Sequence, residues 1–359
     1  MIDAAPVTLM VAAMVIPLIG ALGILLFGES QRNMREAVTL LTAAVTFAVV
    51  LSLLGQVLDG ARPELTVLTL EAGLSFRFAV EPLGMLFAVI ASGLWIVNSI
   101  YSIGYMRGNK EPRQTTFYIC FAIAISSTLG IAFAGNLVTL FLFYEVLTLS
   151  TYPLVTHKGD DKAIAGGRVY ILVLLGTSMI LLLPAVIWTY VIAGTTYFTD
   201  GGILAGKASA AVTGVLLALF VFGIGKAALM PGHFWLPSAM VAPTPVSALL
   251  HAVAVVKAGV FSVVKVVVYI FGVDFLSQSG NGTWLVWVAG FTIVTASVVA
   301  LQQSNLKKRL AYSTVSQLAY VVLATAVLAP ISVIGAAMHI AAHAVSKITL
   351  FFAADRPSG

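Results

Sequence analysis

The sequence predicts an all-α, polytopic membrane protein with about eleven membrane-spanning helices. Hydrophobic residues make up 60% of the 359 residues, charged residues make up 9%, and the mean hydropathy is +1.04. Soluble domains are about one-quarter charged, so this composition excludes a soluble domain of useful size. Apolar stretches of about 20 residues recur along the chain, and each is long enough for one helical crossing of a bilayer. Helices satisfy their own backbone hydrogen bonds in lipid, so these lengths favour a bundle over a barrel.

The predicted spans follow one another with short polar connections. The first apolar stretch is long enough to cross the bilayer, so it can serve as its own insertion signal and no cleavable signal is predicted. Between the second and third spans, residues 64–80 alternate and are rich in β-formers, which predicts a short exposed hairpin. The spans are residues 6–28, 37–58, 80–103, 114–133, 136–156, 168–194, 209–240, 244–271, 283–302, 312–329 and 331–354.

The basic residues predict the orientation. With eleven spans and the N-terminus outside, 12 of the 19 Lys and Arg residues fall on the cytoplasmic side, 3 on the opposite side and 4 inside spans. This asymmetry agrees with the positive-inside rule and explains the pI of about 9.3 without a nucleic-acid partner. We therefore predict a multi-pass protein of a bacterial-type inner (plasma) membrane, with its N-terminus on the outer side and the lipid bilayer as its surroundings.

Glu145 is the most informative residue because it lies in the middle of an apolar run, residues 136–156. A charge at the bilayer centre costs roughly 2.5–3.5 kcal/mol on insertion scales, so chains keep such groups mainly where they pair or move charge. The other acids lie in loops or at span ends, as Glu81 does. We predict that Glu145 gains and loses a proton. The alternative is a static ion pair that fixes helix packing.

The seventh span carries Lys226 ahead of a Pro231-Gly232 pair. Proline removes a backbone donor and glycine frees the chain, which predicts a broken helix. In lipid, unwound backbone is tolerated only against protein or water, and broken helices line midplane ion sites in transporters. Lys226 is therefore predicted to carry protons. The alternative is a kinked packing helix with a lysine that snorkels to the interface.

The eighth span contains His251, Lys257 and Lys265. Histidine titrates near neutral pH and can both donate and accept a proton, so His251 and Lys257 are predicted to act as a relay. On a regular helix they are about 240° apart and would face different neighbours. A satisfied core histidine is the alternative for His251. Lys265 lies nearer the span end and is expected to snorkel.

The eleventh span places His339, His343 and Lys347 at spacings of four residues, along one stripe of a helix. This stripe predicts a proton wire; static hydrogen bonds between helices are the alternative. A metal site is disfavoured because no carboxylate or thiolate lies near the two histidines in the sequence. Cys120 is the only cysteine, which excludes a disulfide framework and an iron–sulfur ligand set.

No phosphate-binding loop, nucleophile triad or dinucleotide fingerprint occurs. The Gly166-Gly167 pair is interpreted as part of the turn into the sixth span. The sequence therefore supports no redox chemistry and no cofactor within this chain. It leaves open whether the chain is part of a larger enzyme.

Four segments resemble one superfamily. They are FYE at residues 143–145 and the longer runs 223–252, 307–320 and 339–354. They are similar to the proton-translocating, antiporter-like membrane subunits of respiratory complex I, of multisubunit Na+/H+ antiporters (the D-type subunits) and of membrane-bound hydrogenases. The resemblance covers residues 75–354.

The resemblance implies a coupled pair of Glu145 and Lys226. It implies in addition a hydrophilic axis that continues from this pair through His251, Lys257, His339, His343 and Lys347. It also implies about fourteen helices with two inverted five-helix repeats. This chain ends before the family's twelfth span, so the second repeat is expected to be incomplete and the sequence truncated. The implied divisions are residues 1–113 (helices one to three, with the hairpin), 114–271 (first repeat), 283–354 (start of the second) and a polar tail, 355–359.

Three functions remain open at this point. In the first, protons, or sodium ions and protons, cross through this chain as one part of a multisubunit cation/proton antiporter, beside other membrane subunits. In the second, the same module pumps protons within an NADH:quinone oxidoreductase or a membrane-bound hydrogenase. In the third, the charges only hold helices together. The mechanism implied for the first two is that Glu145 alternately pairs with Lys226 and releases it.

Overall fold

The computed structural model describes residues 4–354 of the chain. The first three residues and the predicted polar tail, residues 355–359, lie outside this range. Within them the chain folds as a helical membrane bundle, as predicted, and nine of the described helices are long and apolar enough to cross a membrane. The predicted number of spans was eleven. The other two predicted spans, the seventh and the tenth, correspond to a shorter helix of 14 residues, Ala210–Gly223, and a more polar helix of 21 residues, Leu306–Ala326.

The helices of the first half follow the predicted order. Five are continuous, and the sixth crossing is two helices joined by a π-helical turn, Ser178–Leu182. They are α1 (Ala4–Phe27), α2 (Arg32–Leu58), α3 (Pro82–Gly108), α4 (Gln114–Ala132), α5 (Leu137–Val155), α6 (Asp161–Thr177) and α7 (Leu183–Ala193).

The helices of the second half are more broken, because glycine, proline and π-helical turns interrupt them. They are α8 (Ala210–Gly223), α9 (Trp235–Ser238), α10 (Thr244–Ala248), α11 (Val255–Val266), α12 (Val273–Ser279), α13 (Thr283–Gln302), α14 (Leu306–Ala326) and α15 (Pro330–Ala354).

A two-stranded antiparallel hairpin lies between α2 and α3. Its strands are β1 (Glu64–Glu71) and β2 (Leu74–Ala79). Phe78 of β2 packs edge-on against Phe143 of α5, with ring centroids 5.6 Å apart, whereas β1 is largely exposed. The hairpin therefore caps one end of the bundle.

Backbone hydrogen bonds join the hairpin to neighbouring loops at this end. Gly135 N donates to Arg77 O (2.8 Å), and Thr196 N donates to Gly73 O (3.1 Å). Ile203 N donates to the carbonyl of residue 270 (2.8 Å). We call this end the hairpin side; it comprises residues 64–81, 133–136, 194–209 and 270–272.

The other end of the bundle is tied together by a buried arginine. Arg35 donates to Glu29 Oε2 (2.8 Å), Gln114 Oε1 (2.7 Å) and Thr115 Oγ1 (3.2 Å). A buried guanidinium needs several acceptors, and these come from the loop before α2 and from α4. The N-terminal helices are thereby fixed to one another on the side opposite the hairpin.

The centre of the bundle is the run from α10 through α11. Of the most apolar stretch of Thr244–Phe271, 89% is buried, compared with 28% for Asp161–Ala193. The most enclosed crossing is therefore also the one that carries His251, Lys257 and Lys265, all of them fully buried.

Candidate functional site

The break in the seventh crossing begins earlier than the sequence suggests. The α-helix ends at Gly223, and a 3₁₀ turn, Gly225–Ala227, follows. Ala228 then has a left-handed backbone, with φ of 52°. Helical structure resumes only near Trp235, after Pro231 and Gly232. Lys226 therefore lies inside the interruption, not on regular helix ahead of it.

Protein groups satisfy the backbone that the break releases. Lys226 N donates to the Tyr144 hydroxyl (3.0 Å), and Trp235 Nε1 donates to Gly225 O (3.0 Å). Met230 N donates to Thr292 Oγ1 (3.3 Å). Unpaired backbone groups are costly inside a membrane, so these side chains are what make the interruption possible.

Two glycines bring neighbouring helices onto the break. A Cβ at Gly259 of α11 would lie 2.3 Å from the Lys226 carbonyl carbon, and one at Gly225 would lie 2.3 Å from Thr177 Oγ1. Real Cβ atoms do not approach so closely, so only glycine fits here. No sequence pattern marks Gly259, because close backbone approach depends on the tertiary fold.

The Lys226 side chain is fully buried and held by α5. Its Nζ donates to Tyr144 O (2.9 Å) and Thr148 Oγ1 (2.6 Å), and it lies 3.1 Å from the centre of the Tyr144 ring. A backbone carbonyl, a hydroxyl and an aromatic face all stabilise a cation. Sequence reasoning missed Tyr144 and Thr148 as site residues. The only signal in the sequence is that they flank Glu145 by one and three positions.

The predicted pair of Glu145 and Lys226 lies together without a direct bond. Their charges are close enough to interact. However, neither Glu145 carboxylate oxygen accepts a hydrogen bond, and no ion pair within 4.0 Å joins the two among the described residues. Ser178, beside the carboxylate, donates instead to Leu175 O (3.1 Å). The Glu145 carboxylate is thus buried, close to a cation and unbonded.

Lys257 of α11 points at α15. Its Nζ contacts His343 Nδ1, and the His343 ring lies parallel to that of His339, with centroids 6.2 Å apart. The structure therefore joins the eighth- and eleventh-span residues at one contact. The sequence predicted both groups of residues, but it could not place them against each other.

The remaining polar groups of this region turn toward α14. His251 Nδ1 lies 3.1 Å from Thr314 Oγ1, and Lys347 Nζ donates to Ser313 Oγ (3.0 Å). His251 also contacts α15, with its ring centroid 4.8 Å from that of Phe351. The three residues predicted to form one stripe on α15 therefore have different neighbours. His339 and His343 lie on the side of Lys257, and Lys347 binds α14.

The phase of the eighth crossing differs from that of a regular helix. The sequence predicted that His251 and Lys257 face different neighbours, and their polar partners do differ, with Thr314 on α14 for His251 and His343 on α15 for Lys257. The His251 ring nevertheless also contacts α15, through Phe351. A π-helical turn, Leu249–Val253, and the irregular backbone of Ala254 (φ −118°, ψ −72°) shift the direction of His251. A π-helical turn adds a residue to the local repeat, so the 100° step no longer applies.

Lys265 does not snorkel. Its side chain is fully buried, its Nζ donates to Ala134 O (2.6 Å), and it forms an ion pair of 3.3 Å with Glu81. The expectation of a solvated lysine was wrong because the hairpin side covers this end of α11. Among residues 4–354, no group of three or more His, Cys, Asp or Glu side chains is arranged to hold a metal ion.

A known family contains the region of the buried acid and lysines. A family profile described as "NADH:quinone oxidoreductase/Mrp antiporter, TM" matches residues 134–357, which is more than half of the chain. The chain belongs to this family. The predicted recognition, the antiporter-like fold and the multi-pass membrane location are confirmed.

Members of the NADH:quinone oxidoreductase/Mrp antiporter family from both branches resemble the chain. A probable K(+)/H(+) antiporter A/B subunit of Rhizobium meliloti (strain 1021) is 30% identical over 96% of this chain and 34% of its own length. An "NAD(P)H-quinone oxidoreductase chain 5" of Synechocystis sp. is 29% identical over 94% of this chain and 51% of its own length. The chain thus spans about a third to a half of the length of these curated relatives.

Solved structures agree with the family. The Mrp complex from Dietzia sp. DQ12-45-1b contains a chain that is 30% identical, with a TM-score of 0.83, and the match covers 96% of this chain and 37% of that one. A membrane-bound sulfane sulfur reductase described as an archaeal respiratory membrane complex matches with the same TM-score at 23% identity, which supports the fold alone. These relatives are parts of multisubunit membrane complexes.

Proposed function

We propose that this chain moves protons across the membrane along its buried Glu, Lys and His residues, as one subunit of a multisubunit cation/proton antiporter. The observation that carries this proposal is the Glu145 carboxylate, which is 8% exposed, close to the charge of Lys226 and not hydrogen-bonded to any residue that the structure describes. An unbonded acid beside a base can bind that base or take up a proton with little rearrangement. Ionisable residues inside membranes mark such pathways.

In this mechanism Lys226 has two alternative sets of partners. In the structure its ammonium binds Tyr144 O and Thr148 Oγ1 on α5. If the ammonium turns to Glu145, the charged forms of both groups are stabilised; when they separate, a proton can leave the lysine or join the carboxylate. Since the two groups lie close together, their titrations are linked and belong to the pair.

The route continues from the break to α15. Gly259 holds α11 against the backbone of Lys226, and Lys257 lies two residues before Gly259 on the same helix. The Lys257–His343 contact then offers transfer from a lysine N–H to a neutral imidazole nitrogen, and His339 is stacked next in line. His251 and Lys347 complete the polar axis beside α14.

Proton flux into proteoliposomes that contain the complete assembly tests this proposal. Glu145→Gln and Lys226→Ala are each expected to abolish flux while the assembly still forms. Lys207→Gln is the matched control, because Lys207 is an exposed lysine on a loop of the hairpin side. Retained flux in both site variants would instead favour a protein in which the charges only hold helices together.

A respiratory role is the second candidate, because the relatives include an NAD(P)H-quinone oxidoreductase chain 5 at nearly the same identity as the antiporter relative. The residues within this chain serve both roles, so only its partners separate them. Mass spectrometry of the native complex, isolated in mild detergent, distinguishes the two. Flavin and iron–sulfur subunits would indicate redox-driven pumping. Small membrane subunits without redox partners would indicate a secondary antiporter, in which Na+ can be tested as the counter-ion.

A further inference from the structure

The ion pair between Glu81 and Lys265 repeats the construction of the central site near the hairpin side. Like Lys226, Lys265 is fully buried, donates to a backbone carbonyl and lies beside aromatic rings. Its Nζ is 4.5 Å from the centre of the Phe198 ring. Unlike Lys226, it binds its acid directly, at 3.3 Å.

The two partners differ in their access to solvent. Glu81 immediately precedes α3, and its side chain is 17% exposed, whereas that of Lys265 is 0% exposed. The Phe198 and Phe261 rings and the Ala134 carbonyl surround the lysine. The acid therefore lies at the edge of the bundle and the base lies inside it.

The burial of Glu81 favours uptake of a proton by its carboxylate. Burial raises the pKa of the Glu81 carboxyl, the Lys265 charge opposes this rise, and the nearby Asp200 and Glu64 carboxylates add to it. The Tyr269 ring of the eighth crossing also lies within electrostatic reach of Glu81. A carboxyl in this setting can exchange protons with water at a higher pH than an ordinary surface glutamate.

The lysine of this pair is on the helix that carries the central relay. Lys265 follows Lys257 by eight residues on α11, a rise of about 12 Å. A proton on Lys265 is thus on the most enclosed helix of the bundle, between the hairpin side and the Lys257–His343 contact. The mechanism described above does not use either member of the Glu81–Lys265 pair.

We propose that Glu81 and Lys265 form a proton port on the hairpin side, in which the edge carboxyl passes protons to the buried amine. This inference rests on the proposed function. In the transfer, the O–H bond of protonated Glu81 breaks and an N–H bond forms on neutral Lys265, which yields the ion pair seen in the structure. Lys265 then releases a proton toward Lys257, and Glu81 takes up another from water.

The test must separate a port from a static contact that fastens α11 to α3. Lys265→Arg retains the charge and the ion pair, but arginine does not deprotonate in proteins. Glu81→Gln removes the exchangeable proton, and Glu81→Asp restores it. Glu71→Gln is the matched control, because Glu71 is an exposed carboxylate on the same hairpin. Proton flux is measured with native membrane vesicles of both orientations, so that the pH on the hairpin side can be varied alone.

A port predicts that Lys265→Arg and Glu81→Gln each lower flux at least about 10²-fold, within the range of a positioned proton-transfer group. It also predicts that Glu81→Gln flattens the dependence on hairpin-side pH and that Glu81→Asp restores this dependence. Wild-type flux and pH dependence in Glu81→Gln would overturn the port, even if Lys265→Arg fails to assemble. Glu145→Gln is measured in parallel, because retained flux in that variant overturns the proposed function itself.

Discussion

Two buried lysines of this protein are held in opposite ways. Lys265, near the hairpin side, binds Glu81 directly at 3.3 Å. Lys226, in the helix break, binds a carbonyl and a hydroxyl, while the Glu145 carboxylate beside it has no hydrogen-bond partner among residues 4–354. Each lysine lies near an acid, but among the described residues only Lys265 forms an ion pair with it.

The two arrangements indicate where charge can move during turnover. In the Glu81–Lys265 pair a proton can pass while the two groups stay in contact, whereas separating a buried ion pair is costly because it leaves uncompensated charges. Two groups that are close but not in contact can pair and separate with little rearrangement. Glu145 and Lys226 are therefore expected to move charge in each cycle, and changes at them should have larger effects than changes elsewhere.

The largest effect is expected where a lysine must lose its proton. Lys226→Arg keeps the positive charge but not the ability to deprotonate, so flux should fall by about 10²- to 10⁴-fold. Lys207→Arg, at an exposed position, should leave flux unchanged. The measurement is proton flux in proteoliposomes, with assembly yield checked by size-exclusion chromatography. Wild-type flux in Lys226→Arg would mean that this lysine is only a fixed charge.

The next effect concerns the contact between α11 and α15. His343→Gln removes the imidazole that meets Lys257, and we expect a loss of flux of about 10- to 100-fold. His339→Gln should have a smaller effect, because His339 contacts His343 and not Lys257. Equal losses in the two variants, measured in the same flux assay, would contradict this order along the path.

Thr148 determines which partner the Lys226 ammonium binds. Thr148→Val removes one of the two acceptors of the Lys226 ammonium, which leaves a buried donor unsatisfied at a cost of about 1–3 kcal/mol. The ammonium should then turn to Glu145, and a structure of the variant should show an ion pair within 4.0 Å. Flux should fall by roughly tenfold, since about 1.4 kcal/mol corresponds to a factor of ten. Thr128→Val, a buried threonine that bonds only within α4, is the control.

A smaller effect is expected from the backbone contact that positions the break. Gly259→Ala places a methyl group against the Lys226 backbone, and overpacking of this kind costs about 1–3 kcal/mol. The melting temperature of the purified complex should fall, and flux should fall a few-fold. Gly290→Ala on α13, where no atom lies within 4 Å of the new Cβ, should be neutral or slightly stabilising. Equal behaviour of the two variants would show that α11 can move away.

The smallest effect lies outside the membrane spans. Burial and the charge of Arg113 lower the pKa of His157 to about 4, from a usual value near 6.5. The unfolded state therefore binds the proton more readily, so the contribution to stability is fully present above pH 6.5 and is lost as the pH falls toward 4. His157→Gln should reduce the loss of melting temperature over this range by a few degrees. An unchanged pH profile, with Lys158→Gln as control, would contradict it.

The functional residues could be predicted from the sequence where an ionisable side chain lies within an apolar run. Glu145, Lys226 and the two histidines of α15 stand out because ionisable groups are rare in apolar runs, and this sufficed for the fold class and the family. The acceptors of Lys226 could not be predicted, because a tyrosine carbonyl and a threonine hydroxyl are ordinary in any helix. Their roles depend on the distance between α5 and the break.

The contact between Glu81 and Lys265 could have been predicted from the topology of the spans. In the sequence Glu81 is one of several acids at span ends, and the position of Lys265 suggests snorkelling. With alternating spans, however, the start of the third and the end of the eighth lie on the same membrane face. An acid and a base at those two positions are therefore candidates for contact. The π-helical turns that redirect His251 have no comparable signal.

The proposed mechanism requires that Glu145 changes its protonation during turnover. Infrared difference spectroscopy of the reconstituted complex, recorded as a proton gradient is applied, tests this directly through the C=O stretch of a protonated carboxyl group. We predict a carboxyl band that is absent in Glu145→Gln and still present in Glu81→Gln. An identical difference spectrum in wild type and Glu145→Gln would contradict the mechanism.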